Sequence, residues 1–323
     1  MLYPLKFKPI LKDKIWGGNK LHTLLNKSKA SDKCGESWEI SGVQNEISVV
    51  ANGKLKNNNL QELIDIYMGD LVGDKVYEKF GIEFPLLIKF IDANDVLSIQ
   101  VHPDNDLAKE RHNAYGKTEM WYIIEAEKNS ELISGFNKKA SKKEYTANLN
   151  NNTLKNILNH EKVNKDDVFY IPSGRVHAIG SGILLAEIQQ TSDVTYRIYD
   201  WNRKDDNGNL RELHTDMAID AIDYNFYDSY KTDYCIKNDK TSKIIHCEYF
   251  NTNIIDLSKS LEKDYNLIDS FVIYMCIEGS FSINYSNSKI KVDKGETVLL
   301  PAVLKNITLE TTEQTKILEV YIN

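Results

Sequence analysis

The sequence predicts an all-β protein: two β-barrel domains of jelly-roll-like, related design, with α-helices inserted only as interruptions. Three observations carry this expectation. Short runs rich in Ile, Val, Tyr and Phe, set between Asn-Gly, Gly-Ser and Asp/Asn clusters, recur along the 323 residues, which is the pattern of antiparallel strands and not of βαβ units. KGETVLLPA at 294–302 echoes DDVFYIPSG at 166–174, each running from a charged turn through an apolar strand to a proline, so one unit is repeated. Between them lies a polar, irregular stretch, NFYDSYKTDYCIKNDKTS at 225–242, low in aliphatic residues. It places a boundary that divides the chain into 1–235 and a smaller 236–323.

Taken in chain order, VVANGKL at 49–55 reads as a hairpin, because Asn52-Gly53 supplies the positive φ angles of a type I′ turn. Asn59 to Met68 reads as a helix. Leu60, Leu63, Ile64 and Tyr67 fall on one face, and Asn59 with Glu62 forms a capping box. Further helices are expected after His102 through DNDLAKERH, near Ser141 to Leu158, and from His214 to Ile222. Beyond the boundary, FVIYMCIEGSFSINY, KIKVDKG and ETVLLPAV alternate apolar and polar positions between glycine turns, as a small barrel or sandwich does.

Composition bounds the function. With 41% hydrophobic, 10% aromatic and 27% charged residues, the chain can bury a full core, which excludes disorder and collagen. Lys plus Arg is 40 against 47 Asp plus Glu, a net charge of −7, so no nucleic-acid partner is expected. No apolar run approaches the roughly 18 residues of a membrane span, and MLYPLKFKPILKDK is too charged for a secretory signal. The expected location is the cytoplasm. Cys34, Cys235, Cys247 and Cys276 show no CxxC spacing and are expected as reduced thiols. No GxGxxG or GxxxxGK[ST] run supports dinucleotide or P-loop chemistry.

The chemistry-bearing residues sit on three segments. In VLSIQVH at 96–102, Leu97, Ile99 and Val101 share one face while Ser98, Gln100 and His102 share the other. TEMWYII at 118–124 carries Glu119, with Lys117 just before it. VFYIPSGRVHAIG at 168–180 makes a sharp Pro-Ser-Gly turn and returns a strand bearing His177. Each alone is most simply a half-exposed strand. Together, His102, Glu119 and His177 can converge from separate strands on a divalent ion, with Gln100 facing the same way. Nitrogen and oxygen donors without thiolate suit Zn²⁺, Fe²⁺, Mn²⁺ or Co²⁺, and an incomplete shell leaves room for substrate. The C-terminal domain has one histidine, His246, so about one ion per chain is expected.

These segments, with EIQQTSDVTYRIYDWNR at 187–203, Trp16-Gly17-Gly18 and GESWEISG at 35–42, closely resemble the short bacterial form of type I mannose-6-phosphate isomerase. The resemblance spans nearly the whole chain. It implies a zinc-dependent cupin enzyme interconverting mannose 6-phosphate and fructose 6-phosphate. By position it implies His102, Glu119 and His177 as metal ligands and Arg197 as a catalytic arginine. Gln100 matches a glutamine that ligates the metal in longer members, whose large helical insertion this chain lacks. Aldose-ketose isomerisation moves a proton between neighbouring carbons through an enediol. Glu187 shares a strand face with Leu185 and Gln189 and is the leading proton-transfer candidate, with Lys117 or zinc-bound hydroxide as alternatives. For the phosphate of the hexose 6-phosphate, Lys89 in the apolar run PLLIKFI and the hydroxyl of Ser98 are the candidates, with Arg203 as a possible surface charge. Two other classes stay open, an Fe²⁺ oxygenase and a non-catalytic sugar-phosphate sensor.

Overall fold

The computed structural model describes residues 2–204 and 208–322. Its described strands form four antiparallel sheets, of six, five, six and four strands. The expected barrels are a correction: strand pairing leaves each sheet open, and the sheets stack face to face as layers. The mostly β character with inserted helices stands.

The first six-stranded sheet runs Ile10–Gly18, Cys34–Ser41, Leu86–Ala93, Ile183–Gln190, Glu119–Ala126, Val168–Ile171. Against one face lies the five-stranded sheet, Tyr196–Tyr199, Ile99–Val101, His177–Ala178, Glu131–Phe136, Leu158–Lys162. Trp121, Ile123, Phe169, Leu185, Leu132 and Ile179 form the core between the two. The other face of the five-stranded sheet presents Ile99, Val101, Ile133 and Tyr196, which helices Lys142–Asn150 and Thr215–Ala221 cover through Tyr145 and Ala218. Leu97 is therefore not part of that face, since it precedes the strand and joins the core between the sheets.

The second six-stranded sheet runs Thr241–His246, Asn251–Leu257, Thr315–Tyr321, Val272–Glu278, Thr297–Leu300, Leu5–Lys6, with the four-stranded sheet on its outer side. Its inner side packs directly on the first sheet. Leu86, Ile88, Phe90, Ala186 and Ile188 from one half meet Ile254, Ile273, Met275, Leu318 and Val320 from the other in one continuous core. Truncating one such fully buried Leu or Ile to Ala costs about 2–5 kcal/mol. The chain's first strand, Leu5–Lys6, pairs with Leu299 and Val298, so the N-terminus is built into the second sheet.

The helix from Asn59 forms as expected. Asn59 Oδ1 accepts from the Glu62 amide at 2.8 Å and Glu62 Oε2 accepts from the Asn59 amide at 3.2 Å, a cap of about 1 kcal/mol. It runs Leu60–Val72 with a break at Met68. The helix after His102, Asn105–His112, is capped by Asp104. The Asn52-Gly53 hairpin does not form. A type I′ turn needs positive φ at both central residues, and Gly53 alone has it, at 60°. Asn52 instead donates to Pro4 O and accepts from the Lys6 amide, while Val50 bridges Phe7 and Val49 bridges Asn59. A short helix, Asp74–Phe80, was not anticipated.

Candidate active site

Antiparallel register sets residues directly opposite one another on a common face. Across the first sheet it aligns Trp38, Lys89, Glu187 and Trp121 in one row, with Gln189 opposite Glu119 one rung along. Across the five-stranded sheet it aligns Arg197, Gln100, His177 and Ser134. The two rows face each other. His102 follows the strand end at Val101 and completes the group.

His102, Glu119 and His177 are each at most 1% exposed, and their donor atoms lie within 4.8 Å of one another. Glu119 Oε2 is 3.7 Å from His102 Nε2, and Oε1 is 3.4 Å from His177 Nε2. All four of these atoms are buried without a hydrogen-bond partner. The other ring nitrogens are taken: His102 Nδ1 meets Val194 O at 2.9 Å and His177 Nδ1 meets Arg175 O at 2.8 Å. A carbonyl can only accept, so Nδ1 carries the proton and Nε2 faces inward as a bare lone pair. Burial holds both imidazoles neutral, pushing His177 down to about 4 and His102 well below its ordinary value. Burial and the charge of Glu187 push the Glu119 carboxyl up to about 7. Lone pairs gathered without a donor are expensive, and a divalent cation satisfies all of them at once. The residues present therefore fit a metal of the N₂O type.

Around this trio the surroundings are charged and dry. Lys117 Nζ lies 3.3 Å from Glu119 Oε2 and is itself buried. Lys89 does meet an anion, as a lysine on a buried face requires. The anion is Glu187, at 2.8 Å, with Gln189 Oε1 at 2.6 Å. Trp121 Nε1 donates to the second Glu187 oxygen at 2.8 Å. Lys89 and Lys117 hold the Glu187 carboxyl at about 2, against the burial that opposes them. Ser98 is buried one rung from Gln100. Arg197 is half-buried, its Nη1 donates to Glu212 O at 2.9 Å, and its Nε is a buried donor without a partner. Arg203 and Arg211 both bind Asp200, and Arg203 also reaches Asp95 at 3.7 Å, so with Arg197 three guanidinium groups gather beside Asp200 and Asp95 among the described residues.

Three contributors escaped the sequence reading. Trp121 grips Glu187 and stacks its ring edge 5.3 Å from His177. Gln189 anchors Lys89, and Trp38 lies under the same ammonium at 5.3 Å. Their signal was available for Trp121, which stands two residues from Glu119 on the same strand face.

Residues 4–132 match the family model of the phosphomannose isomerase type I catalytic domain, and 239–322 match that of the mannose-6-phosphate isomerase cupin domain. The mannose-6-phosphate isomerase ManA of Bacillus subtilis (strain 168) is 39% identical over 313 residues, covering 95% of this chain and 96% of that protein. The chain belongs to the type I phosphomannose isomerase family. A mannose-6-phosphate isomerase of Streptococcus mutans is 35% identical over 310 residues, 95% of each chain. The crystal structure of the mannose 6-phosphate isomerase from Bacillus subtilis superposes with a TM-score of 0.88 at 34% identity, covering 99% of this chain and all of that one. A structure from Archaeoglobus fulgidus, 22% identical with a TM-score of 0.80, shares the fold. As a type I phosphomannose isomerase the chain is an isomerase built on cupin-type β layers, and no helix among the described residues is long and apolar enough to cross a membrane.

Proposed function

We propose that this protein interconverts D-mannose 6-phosphate and D-fructose 6-phosphate in the cytoplasm, with one Zn²⁺ per chain held by His102, Glu119, His177 and, from the same row, Gln100. The observation that carries the reading is the set of four buried metal-ligating atoms that form no hydrogen bond, beside Lys89, Lys117 and Arg197, in a member of this family. We also assign the catalytic unit to 1–235 and the smaller β unit to 236–323, with the first strand crossing between them.

Zinc, when bound, supplies a Lewis acid for the sugar's oxygens. The chain's own residues do the rest. Arg197, held by Glu212 O through Nη1 and with Nε still unpartnered, stabilises negative charge as the enediol forms while staying protonated at any working pH. Both oxygens of Glu187 are engaged, so accepting a proton would break a bond to Lys89 or Trp121. A carboxylate held at about 2 is also a weak acceptor. We therefore give the carriage of the proton between C1 and C2 to Lys117 acting as the neutral amine, which becomes the ammonium as it takes the proton from one carbon and the amine again as it returns it to the other, and to Glu187 the task of fixing Lys89 and Trp121 as the floor. The substrate's phosphate falls to the positive charge of Arg203 and Arg211, with Ser98 within the same corner through Val96, whose carbonyl Arg203 binds.

A coupled assay for fructose 6-phosphate from mannose 6-phosphate, run with metal analysis, tests the reading. Turnover that disappears on chelation and returns with Zn²⁺ is the expected result. Full activity in rigorously metal-free protein overturns it.

A further inference from the structure

The polar stretch that reads as a linker in sequence packs against the back of the site. Tyr227 and Tyr230 both pack on the Arg175 guanidinium, their ring centroids 4.8 and 4.9 Å from its central carbon and 6.0 Å from each other, so the two rings make a corner that holds it. Arg175 Nη1 reaches back to Tyr170 O at 3.1 Å, closing the Pro172-Ser173-Gly174 turn on itself. Gly174 takes φ of 86° there, donates its amide to His102 O and receives the Asp223 amide on its carbonyl. The free carbonyl of Arg175 is the acceptor for His177 Nδ1.

Tyr230 is buried, and its hydroxyl donates to Phe136 O at 2.8 Å. That oxygen belongs to Glu131–Phe136, the strand paired directly with His177. The path from His177 through Arg175, the Tyr230 ring and Phe136 thus returns to the neighbour of His177 and closes. Gly135 makes room for it, since a Cβ at that position would sit 2.4 Å from the Tyr230 ring.

We infer that Arg175, held in the corner formed by Tyr227 and Tyr230, is a positioning residue that fixes the tautomer and aim of His177 toward the metal. The inference rests on the proposed metal centre. It gives residues 223–231 a task in metal affinity that neither the linker reading nor the ligand set contains. His102 is the internal contrast, because its Nδ1 leans on Val194 and has no such clamp.

Co²⁺ is the probe, with binding to metal-free protein followed by titration calorimetry and by its d–d absorption. Arg175→Ala keeps the carbonyl that accepts from His177 Nδ1 but strips it of its anchors, and is expected to weaken Co²⁺ binding by about 10-fold, the low end of what disturbing an outer partner of a ligating histidine costs, and to alter the absorption band. Tyr227→Ala, a change at an exposed ring that leaves the core intact, is expected to weaken it several-fold. Tyr230→Phe keeps the stacked ring and is expected to retain most of the affinity that Tyr230→Leu loses. A purely structural clamp would lower the melting temperature of the metal-free protein while leaving the affinity and the absorption band of the folded fraction unchanged. Wild-type affinity and spectrum in both Arg175→Ala and Tyr227→Ala overturn the inference alone. No Co²⁺ uptake by the wild type overturns the metal reading, and the clamp with it.

Discussion

The two halves of the molecule are built on the same plan and differ in what they leave unsatisfied. In each, a late strand sits at the centre of a six-stranded sheet, Ile183–Gln190 in one and Thr315–Tyr321 in the other, and each carries a buried glutamate. Glu187 lies opposite Lys89 and Trp121, and Glu319 lies opposite Asn253 and Tyr274. The echoing segments DDVFYIPSG and KGETVLLPA occupy equivalent strands, each hydrogen-bonded beside the next strand out. Glu319 is nevertheless closed off: Tyr265, Lys263 and Asn253 all bind it. The half with Glu187 adds a second carboxylate and two imidazoles whose inward atoms form no hydrogen bond, with the Lys117 nitrogen alone nearby, 3.3 Å from Glu119. In the other half the amide of Asn251 is also partnerless, but His246, which lies opposite it, already has its Nε2 on Asn253. A buried acid by itself is therefore a poor sign of chemistry. Converging acceptors without donors are a good one.

That contrast can be broken. The largest expected effect is at the trio: His102→Ala and His177→Ala should lose metal together with at least three orders of magnitude in kcat/KM, roughly what loss of a metal-dependent step implies. Metal content by atomic absorption beside the coupled assay checks this, and a full metal load in His177→Ala would refute the ligand set. Next is Arg197→Ala, expected to lower kcat by about two orders of magnitude with zinc retained. Arg197→Lys should recover part of it. Tritium exchange between substrate and solvent separates the roles. An effect on KM alone would make Arg197 a phosphate anchor.

The next effect is on stability. Lys89→Met leaves Glu187 buried and unpaired and should cost about 3–5 kcal/mol in urea unfolding, whereas removing both charges together should cost much less. Because the Glu187 carboxyl is held at about 2 and not at its ordinary 4.5, its contribution is complete above about 4.5 and is lost as pH falls toward 2. Lys89→Met should flatten that acid limb, and an unchanged limb would sink the pairing argument. The smallest effect is at the closed counterpart. Glu319→Gln should cost about 1–3 kcal/mol with metal content and kcat/KM at wild-type levels, and a loss of either would mean the second half takes part in the chemistry.

How much of this the sequence reveals depends on whether a feature is local. Period-two alternation put Ser98, Gln100 and His102 on one side; Gln100 lies opposite His177 and His102 meets Glu119, while the alternation breaks at Leu97, before the strand begins. The Asn59–Glu62 cap was readable because both partners lie within one turn. Features fixed from far away were not. Helix Asp74–Phe80 is capped by Asp269, which accepts from the amides of Asp74 and Lys75 across the molecule. Asn52 prefers the N-terminal strand to its own turn for the same reason. Open layers replace barrels because the faces of the two six-stranded sheets are both apolar and bury each other, which no alternation within a single strand announces. At the site, Lys89 reads from sequence as a phosphate candidate, and only its register opposite Glu187 shows that it is taken by a carboxylate of the chain itself.

The placement of Leu5–Lys6 beside Val298 and Leu299 has a consequence for biosynthesis. Leu5–Lys6 leaves the ribosome long before Thr297–Leu300, so it waits unpaired until that strand has been made. The apolar face on which the second sheet will rest is exposed through the same interval. The N-terminal half thus emerges early with its chemistry assembled and its back uncovered. Its need for a chaperone should fall only when the final strands arrive.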